Sequence, residues 1–389
     1  MSWEIQAQLD QLRTEGLWRE LRVMDSPQEP VVEHAGRSYL NFSSNDYLGL
    51  ASSPEIKAAF QEGVARYGAG SGASRLVCGT LRPHADLEEA LAAFKGAEAA
   101  LTFSSGFSVP IGTLPALLGA GDTILLDKLS HACLVDAARL SGATIRVFPH
   151  NHLEKLERLL QTAKGRVLIV TESIFSMDGD SALLREIVEL KDRYGAWLLL
   201  DEAHAVGVLG PQGRGLAAAM GLEKRVELQM GTLSKAFGLS GGYLAASRAV
   251  IDLLINRARS FIYTTAPPPS LAHAASVALS LIQGEEGDKR RALLHQHVRS
   301  VQSVVEGRET QPSAIIPLIL GDETVAMNAS TSLREGGFMV PAIRYPTVAR
   351  GSARLRLTLS AAHQPEQVAA LMEQIKALNL LRRAEAASH

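Results

Sequence analysis

Short apolar runs recur along this chain: Ala99–Phe103, Thr123–Leu126, Ile145–Phe148, Val167–Val170 and Trp197–Leu200, each followed by a stretch with apolar positions three and four residues apart. Runs too short for helices, alternating with helical patterning, predict an α/β fold with a mostly parallel sheet covered on both faces. Ahead of them, Ile5, Leu9 and Leu12 mark a helix, and Leu17, Trp18 and Leu21 extend its stripe, predicting an N-terminal helix packed on something larger. Pro27, Pro30 and Gly36 mark turns before a short strand at Tyr39–Phe42. Downstream, Pro267–Pro269 interrupt the pattern, an alanine-rich helix begins near Ser270, and Gly284–Asp288 break it again. The Ile315–Leu320 run, the Arg354–Leu359 alternation and a helix from Pro365 to about Leu380 then suit a smaller α+β unit. The expected division is 1–40 for an N-terminal helix and arm, 41–285 for the large domain and 286–389 for the small one.

With 389 residues, 46% hydrophobic and 21% charged, the chain has ordinary globular composition and length for two domains. A net charge of −2 gives no electrostatic reason to expect nucleic acid as a partner. Cys78 and Cys133 suggest neither a disulfide framework nor a zinc site, so reducing cytoplasm is the default compartment. The N-terminal residues lack the apolar core of a signal peptide, and no run reaches membrane-spanning length.

The candidate chemistry centres on Lys235, in Gly231–Gly238, and on Asp201, which closes the Trp197–Leu200 run. A lysine beside Ser and Ala is ordinarily a solvated surface residue, and an aspartate at a strand end is commonly a helix cap. Together they meet the needs of pyridoxal phosphate: an amine for its aldehyde and a carboxylate to keep its ring nitrogen protonated, with Thr232 and Ser234 as phosphate donors. Lys128 is the rival amine, without those hydroxyl-rich surroundings.

Other polar clusters also follow apolar runs, where ligands sit in open α/β sheets. Ser104–Phe107 places Gly106 and Phe107 at a helix start suited to phosphate. His131 can lie against a planar ring, His204 can bond a phenolic oxygen, and Glu172 and Ser176 add polar groups to the same rim. Asp201–His204 spells a helicase box, but no phosphate-cradling G-x-x-x-x-G-K-[ST] run accompanies it. Gly238–Gly242 fits G-x-S-x-G, the basis of an alternative hydrolase reading through Ser240, yet no buried strand precedes it. His150/His152 and His295/His297 lack convincing third metal ligands, so no metal is expected.

Asn41–Gly49, Gly70–Arg75, Ser130–Ala132, Phe175–Gly179, Asp201–His204, Thr232–Lys235, Ile343–Val348 and Arg354–Thr358 form a specific set spread over nearly the whole chain. With them the chain resembles the α-oxoamine synthases, a branch of the fold-type I pyridoxal phosphate enzymes. The resemblance implies a large, mostly parallel, seven-stranded-type sheet domain with a smaller C-terminal domain, assembled as a homodimer with shared active sites. It implies that Lys235 binds the cofactor aldehyde, Asp201 pairs with the ring nitrogen, His204 with the phenolic oxygen, and His131 stacks. Gly106, Phe107, Ser176, Thr232 and Ser234 would complete the cofactor site, with Thr264 or Thr265 reaching the partner's phosphate. Arg356 matches the arginine that clamps an amino acid carboxylate, and Arg19, Asn45, Arg344 and Thr347 match other substrate positions. The activity implied is decarboxylative condensation of L-alanine with a pimeloyl thioester, on coenzyme A or acyl carrier protein, in biotin biosynthesis. Glu15–Glu20 is similar to the branch that joins glycine to acetyl coenzyme A, which is the alternative. The stretch from Val304 to Ser313 is shorter than the family's usual one.

Overall fold

The computed structural model describes residues 3–305 and 313–387. The expected shortening between Val304 and Ser313 falls mainly on 306–312, and Met1 and Ser2 of the N-terminal reading also lie outside the described residues.

Two compact units form: the smaller gathers the described residues of Met1–Ser43, Pro317–Leu357 and Pro365–His389, the larger Ser44–Ile316 and Thr358–Gln364. The smaller unit begins with α1 (Ile5–Thr14) and a hairpin of β1 (Val31–His34) and β2 (Arg37–Asn41). The larger begins with α2 (Pro54–Tyr67) and α3 (Arg82–Lys95). It then alternates β3 (Ala99–Phe103), α4 (Ser108–Leu117), β4 (Thr123–Asp127), α5 (Ala132–Ser141), β5 (Thr144–Phe148), α6 (Leu153–Leu160), β6 (Val167–Glu172), α7 (Leu184–Tyr194) and β7 (Trp197–Asp201). After α8 (Leu216–Ala219) come β8 (Leu228–Thr232), β9 (Gly242–Ala246), α9 (Arg248–Arg257), α10 (Arg259–Ile262), α11 (Pro269–Gln283) and α12 (Glu285–Val305). The chain continues through β10 (Ile315–Gly321), α13 (Glu323–Glu335), β11 (Phe338–Met339), β12 (Ala342–Ile343), β13 (Ala353–Thr358), α14 (Pro365–Ala377) and α15 (Leu380–Ala387).

The seven-stranded sheet has the order β3-β9-β8-β7-β6-β4-β5. It is parallel from β5 to β8, while β9 runs antiparallel to both β8 and β3. Its strands read as apolar runs because both faces are covered. Leu101, Ile124, Leu126, Val170, Leu199, Met230 and Leu244 pack with Val109, Leu114, Leu134 and Ile251 of the helices. Each such buried side chain contributes about 1.5–3 kcal/mol. Polar groups therefore collect at the strand ends.

Four expectations need adjustment. The stripe from Ile5 to Leu21 does not form one packed helix: α1 buries no residue, Gly16 beyond its end takes φ +66°, and Leu21 is 99% exposed. Residues 286–316 group with the larger unit and the N-terminal arm with the smaller. Gly284–Asp288 is a helix start, with Glu285, Glu286 and Asp288 in the first turn of α12, where acidic side chains suit the helix dipole. The closing helix is broken into α14 and α15 at Asn379, which adopts φ +54°. Among the described residues no helix is long and apolar enough to cross a membrane.

Candidate active site

In the larger unit, the carboxyl ends of β6, β7 and β8 and the starts of α4 and α5 enclose a cavity of about 250 Å³. Asp201, the last residue of β7, is buried, and its Oδ1 accepts the Ala203 N–H at 2.9 Å. Glu172 ends β6 as its register partner and is also buried. Burial pushes the Asp201 carboxyl up from its usual range, opposed by the Lys235 ammonium, the Ala203 N–H and His131. Burial, reinforced by the Asp201 charge, pushes Glu172 well up.

Lys235 stands on the connection from β8 to antiparallel β9, a compact loop rather than a crossover helix. Leu233 N–H bonds Gly241 O at 3.0 Å, Leu239 N–H bonds Leu233 O at 2.9 Å, and Gly238 N–H bonds Lys235 O at 2.8 Å. Gly238 takes φ +69° and lies so close to the Leu50–Ala51 backbone that a Cβ would fall 2.3 Å from Ala51 N. The Lys235 amine lies 2.8 Å from His204 Nε2. On the far side of that ring, Nδ1 meets the Tyr47 hydroxyl at 2.5 Å, and Tyr47 Oη lies 3.3 Å from Asn45 Oδ1.

His131 caps α5: its Nδ1 accepts the Cys133 N–H at 3.2 Å and lies 3.0 Å from Cys133 Sγ. An Nδ1 that accepts leaves the ring proton of the neutral form on Nε2. Burial and the nearby Lys235 charge hold the His131 pKa below its ordinary value, so the neutral ring dominates near pH 7. Its backbone N–H donates to Glu172 Oε1 at 2.6 Å.

At the opposite wall, Gly106 precedes α4 and meets the start of β9 so closely that a Cβ on Gly242 would lie 2.7 Å from Gly106 Cα. Thr232 Oγ1 donates to Gly241 O at 2.8 Å and shares a 2.7 Å contact with Ser234 Oγ. Phe107 is half exposed at the rim.

The cavity thus unites Gly106, Phe107, His131, Asp201, His204, Thr232, Ser234 and Lys235. Asn45, Ser176, Thr264 and Thr265 belong to the larger unit but lie outside the cavity lining; Thr265 bridges to Ser74. Arg19, Arg344, Thr347 and Arg356 belong to the smaller unit. There Arg356 is buried on β13, Arg344 donates to Trp18 O at 3.0 Å, and Arg19 and Thr347 are exposed. The rival Lys128 is exposed in a turn. His150 pairs with Asp127 and Asp180, and among the described residues no cluster has metal-binding geometry. Tyr47, Cys133 and Met230 had no assigned role from sequence. Tyr47 meets His204 across 157 residues, a contact that no local pattern encodes.

These residues fit pyridoxal phosphate: an amine faces the cavity, a buried carboxyl closes its floor, and glycines leave room beside a helix start where a Cβ would intrude. Fold and site together define a fold-type I pyridoxal phosphate-dependent transferase. The aminotransferase class I and II family model matches residues 37–375, and the chain belongs to that family. It is 46% identical over 378 residues to the 8-amino-7-oxononanoate synthase of Herminiimonas arsenicoxydans, covering 95% of this chain and 97% of the relative. It is 48% identical over 372 residues to the enzyme of the same name from Geobacter sulfurreducens, covering 93% and 94%. Among solved structures, the serine palmitoyltransferase from S. paucimobilis with bound PLP–myriocin aldimine superposes with a TM-score of 0.90 at 29% identity, covering 99% of this chain and 97% of that one.

Proposed function

We propose that this chain condenses L-alanine with a pimeloyl thioester, releasing carbon dioxide and free thiol and forming 8-amino-7-oxononanoate for biotin synthesis. The observation that carries the reading is the Lys235 amine, held 2.8 Å from His204 in a cavity floored by buried Asp201. Near full-length relatives named for this product support the choice within the family.

Pyridoxal phosphate, when bound, supplies a sink for the electrons left at the amino acid's α-carbon. Asp201 holds a negative charge where the ring nitrogen needs one, and His204 donates to the phenolic oxygen. Neutral His131 offers a flat face and an Nε2–H. Lys235 would hold the aldehyde, and its Nζ, when free, would be placed to take the α-proton. Gly106, Phe107, Thr232 and Ser234 would hold the phosphate and Ser176 would add a polar group to the cofactor's surroundings, with Thr264 or Thr265 serving the site of a second copy in a cytoplasmic homodimer. Arg356 clamps the alanine carboxylate through its planar fork. Asn45 and Thr347 line the substrate path, and Arg19 or Arg344 receives the distal pimeloyl carboxylate.

The test is thiol release by the cofactor-loaded protein across L-alanine, glycine and L-serine against pimeloyl, acetyl and succinyl coenzyme A, with pimeloyl carrier protein in parallel. Release with alanine and either pimeloyl donor supports the proposal and identifies the carrier. Release only with glycine and acetyl coenzyme A overturns it in favour of the ketobutyrate ligase reaction.

A further inference from the structure

Glu172 lines the same cavity, yet the chemistry above gives it no role. It lies beside Asp201 in the β6–β7 register, and both carboxyl groups are buried. Adjacent strands are about 4.8 Å apart, and two carboxylates confined that closely cannot both ionise without a large penalty. The titratable groups bearing on Glu172 are Asp201 on β7, Asp127 on β4, Lys235 on the β8–β9 connection and the Cys133 thiol of α5, whose pKa burial pushes up. Asp127 is paired with His150, which leaves the lysine charge to face two carboxylates, Glu172 and Asp201. Glu172 also accepts the backbone N–H of His131 at 2.6 Å, and that residue's ring is fixed at Nδ1 by the start of α5. The carboxyl therefore touches the His131 main chain on one side and neighbours Asp201 on the other.

We propose that Glu172 is a positioning residue: it keeps the proton of the Glu172–Asp201 pair, leaves Asp201 as the single negative charge toward the cofactor ring, and anchors His131. This rests on the cofactor site argued above. The carbonyl oxygen of a protonated carboxyl accepts the His131 N–H as a carboxylate would, so both tasks are met in one state. Burial and the neighbouring Asp201 charge act in the direction this requires.

The experiment compares wild-type, Glu172→Gln and Glu172→Ala holoenzymes by three readouts: the pH titration of the bound cofactor's absorbance, the cofactor dissociation constant, and hydrogen exchange over residues 130–134. A glutamine reproduces the neutral carboxyl and keeps the carbonyl acceptor. Glu172→Gln is expected to hold the absorbance midpoint within about 0.3 pH units and affinity within about threefold of wild type. Were Glu172 ionised instead, removing a buried negative charge from the cavity would lower the midpoint by roughly 1 pH unit or more, and a fall of that size overturns the proposal. Glu172→Ala is expected to weaken cofactor binding about tenfold and speed exchange at 130–134, because the His131 anchor is gone. Unchanged exchange there overturns the anchoring role. Should Glu172→Ala fail to fold, the Glu172→Gln midpoint and exchange decide alone. Wild-type protein that takes up no pyridoxal phosphate would sink the cofactor assignment itself, a result distinct from either outcome for Glu172.

Discussion

Replacing Lys95 by methionine removes one half of an ion pair that water does not reach. The Lys95 side chain is 1% exposed and that of Glu202 0%; the amine donates to Glu202 Oε2 and to Arg214 O. Glu202 would keep its bond from the Ala217 N–H at 3.0 Å, against a Gly215 backbone too close to admit a Cβ. A methionine fills nearly the same space, so the change isolates the stranded carboxylate. Breaking a buried pair from one side costs about 3–5 kcal/mol, or roughly 10²–10⁴ in the unfolding equilibrium constant. Denaturant unfolding of the cofactor-loaded protein, followed by circular dichroism and tryptophan fluorescence, measures the loss. The double variant Lys95→Met with Glu202→Leu removes both charges and should regain most of it. A single variant within about 1 kcal/mol of wild type would refute the argument that the pair is dry. A double variant no better than the single would show that shape, not charge, sets the cost.

Other outcomes are equally checkable. Burial disfavours charge on His150, but its bonds to Asp127 and Asp180 outweigh this and raise its pKa from 6.5 to about 10. That stabilisation is fully present below about pH 6.5 and is lost as pH rises through about 10, so wild-type and His150→Gln melting temperatures should converge between about pH 6.5 and 10; parallel curves would exclude it. Gly242→Ala puts a Cβ 2.7 Å from Gly106 Cα and should cost about 1–3 kcal/mol while weakening cofactor binding, measured by denaturation and fluorescence titration. Arg356→Ala, which removes the proposed carboxylate clamp, should raise KM for L-alanine about 10–100-fold in the thiol-release assay and leave cofactor affinity unchanged.

β3, β4, β6 and β7 were legible because burial on both faces leaves apolar runs followed by polar residues, and the edge strand β5, half-exposed and interrupted by Arg146, was legible from Ile145, Val147 and Phe148 alone. β8 and β9 were not: Gln229 and Gly231 interrupt one, and Gly242–Ala246 is too rich in small residues to carry a strand signal. Yet these two flank Lys235. Asp201, His204, His131 and Lys235 could be gathered from sequence because each follows a strand end or a hydroxyl-rich turn. The parts played by Tyr47 and Glu172 could not: Tyr47 acts through a tertiary hydrogen bond, and Glu172 resembles any polar cap until the β6–β7 register puts it beside Asp201. The start of α12 misled because glycine and acidic residues suit a linker and a helix N-terminus alike.

The loop between β8 and β9 bears on how this protein can be redesigned. Its ends are fastened by adjoining antiparallel strands and its middle is closed by hydrogen bonds on both sides of Lys235. The amine is therefore mounted on a ring of fixed circumference. Adding or deleting a residue there would rebuild the whole mount, so length changes belong elsewhere and redesign of the site is confined to exchanging side chains on a backbone of unchanged length.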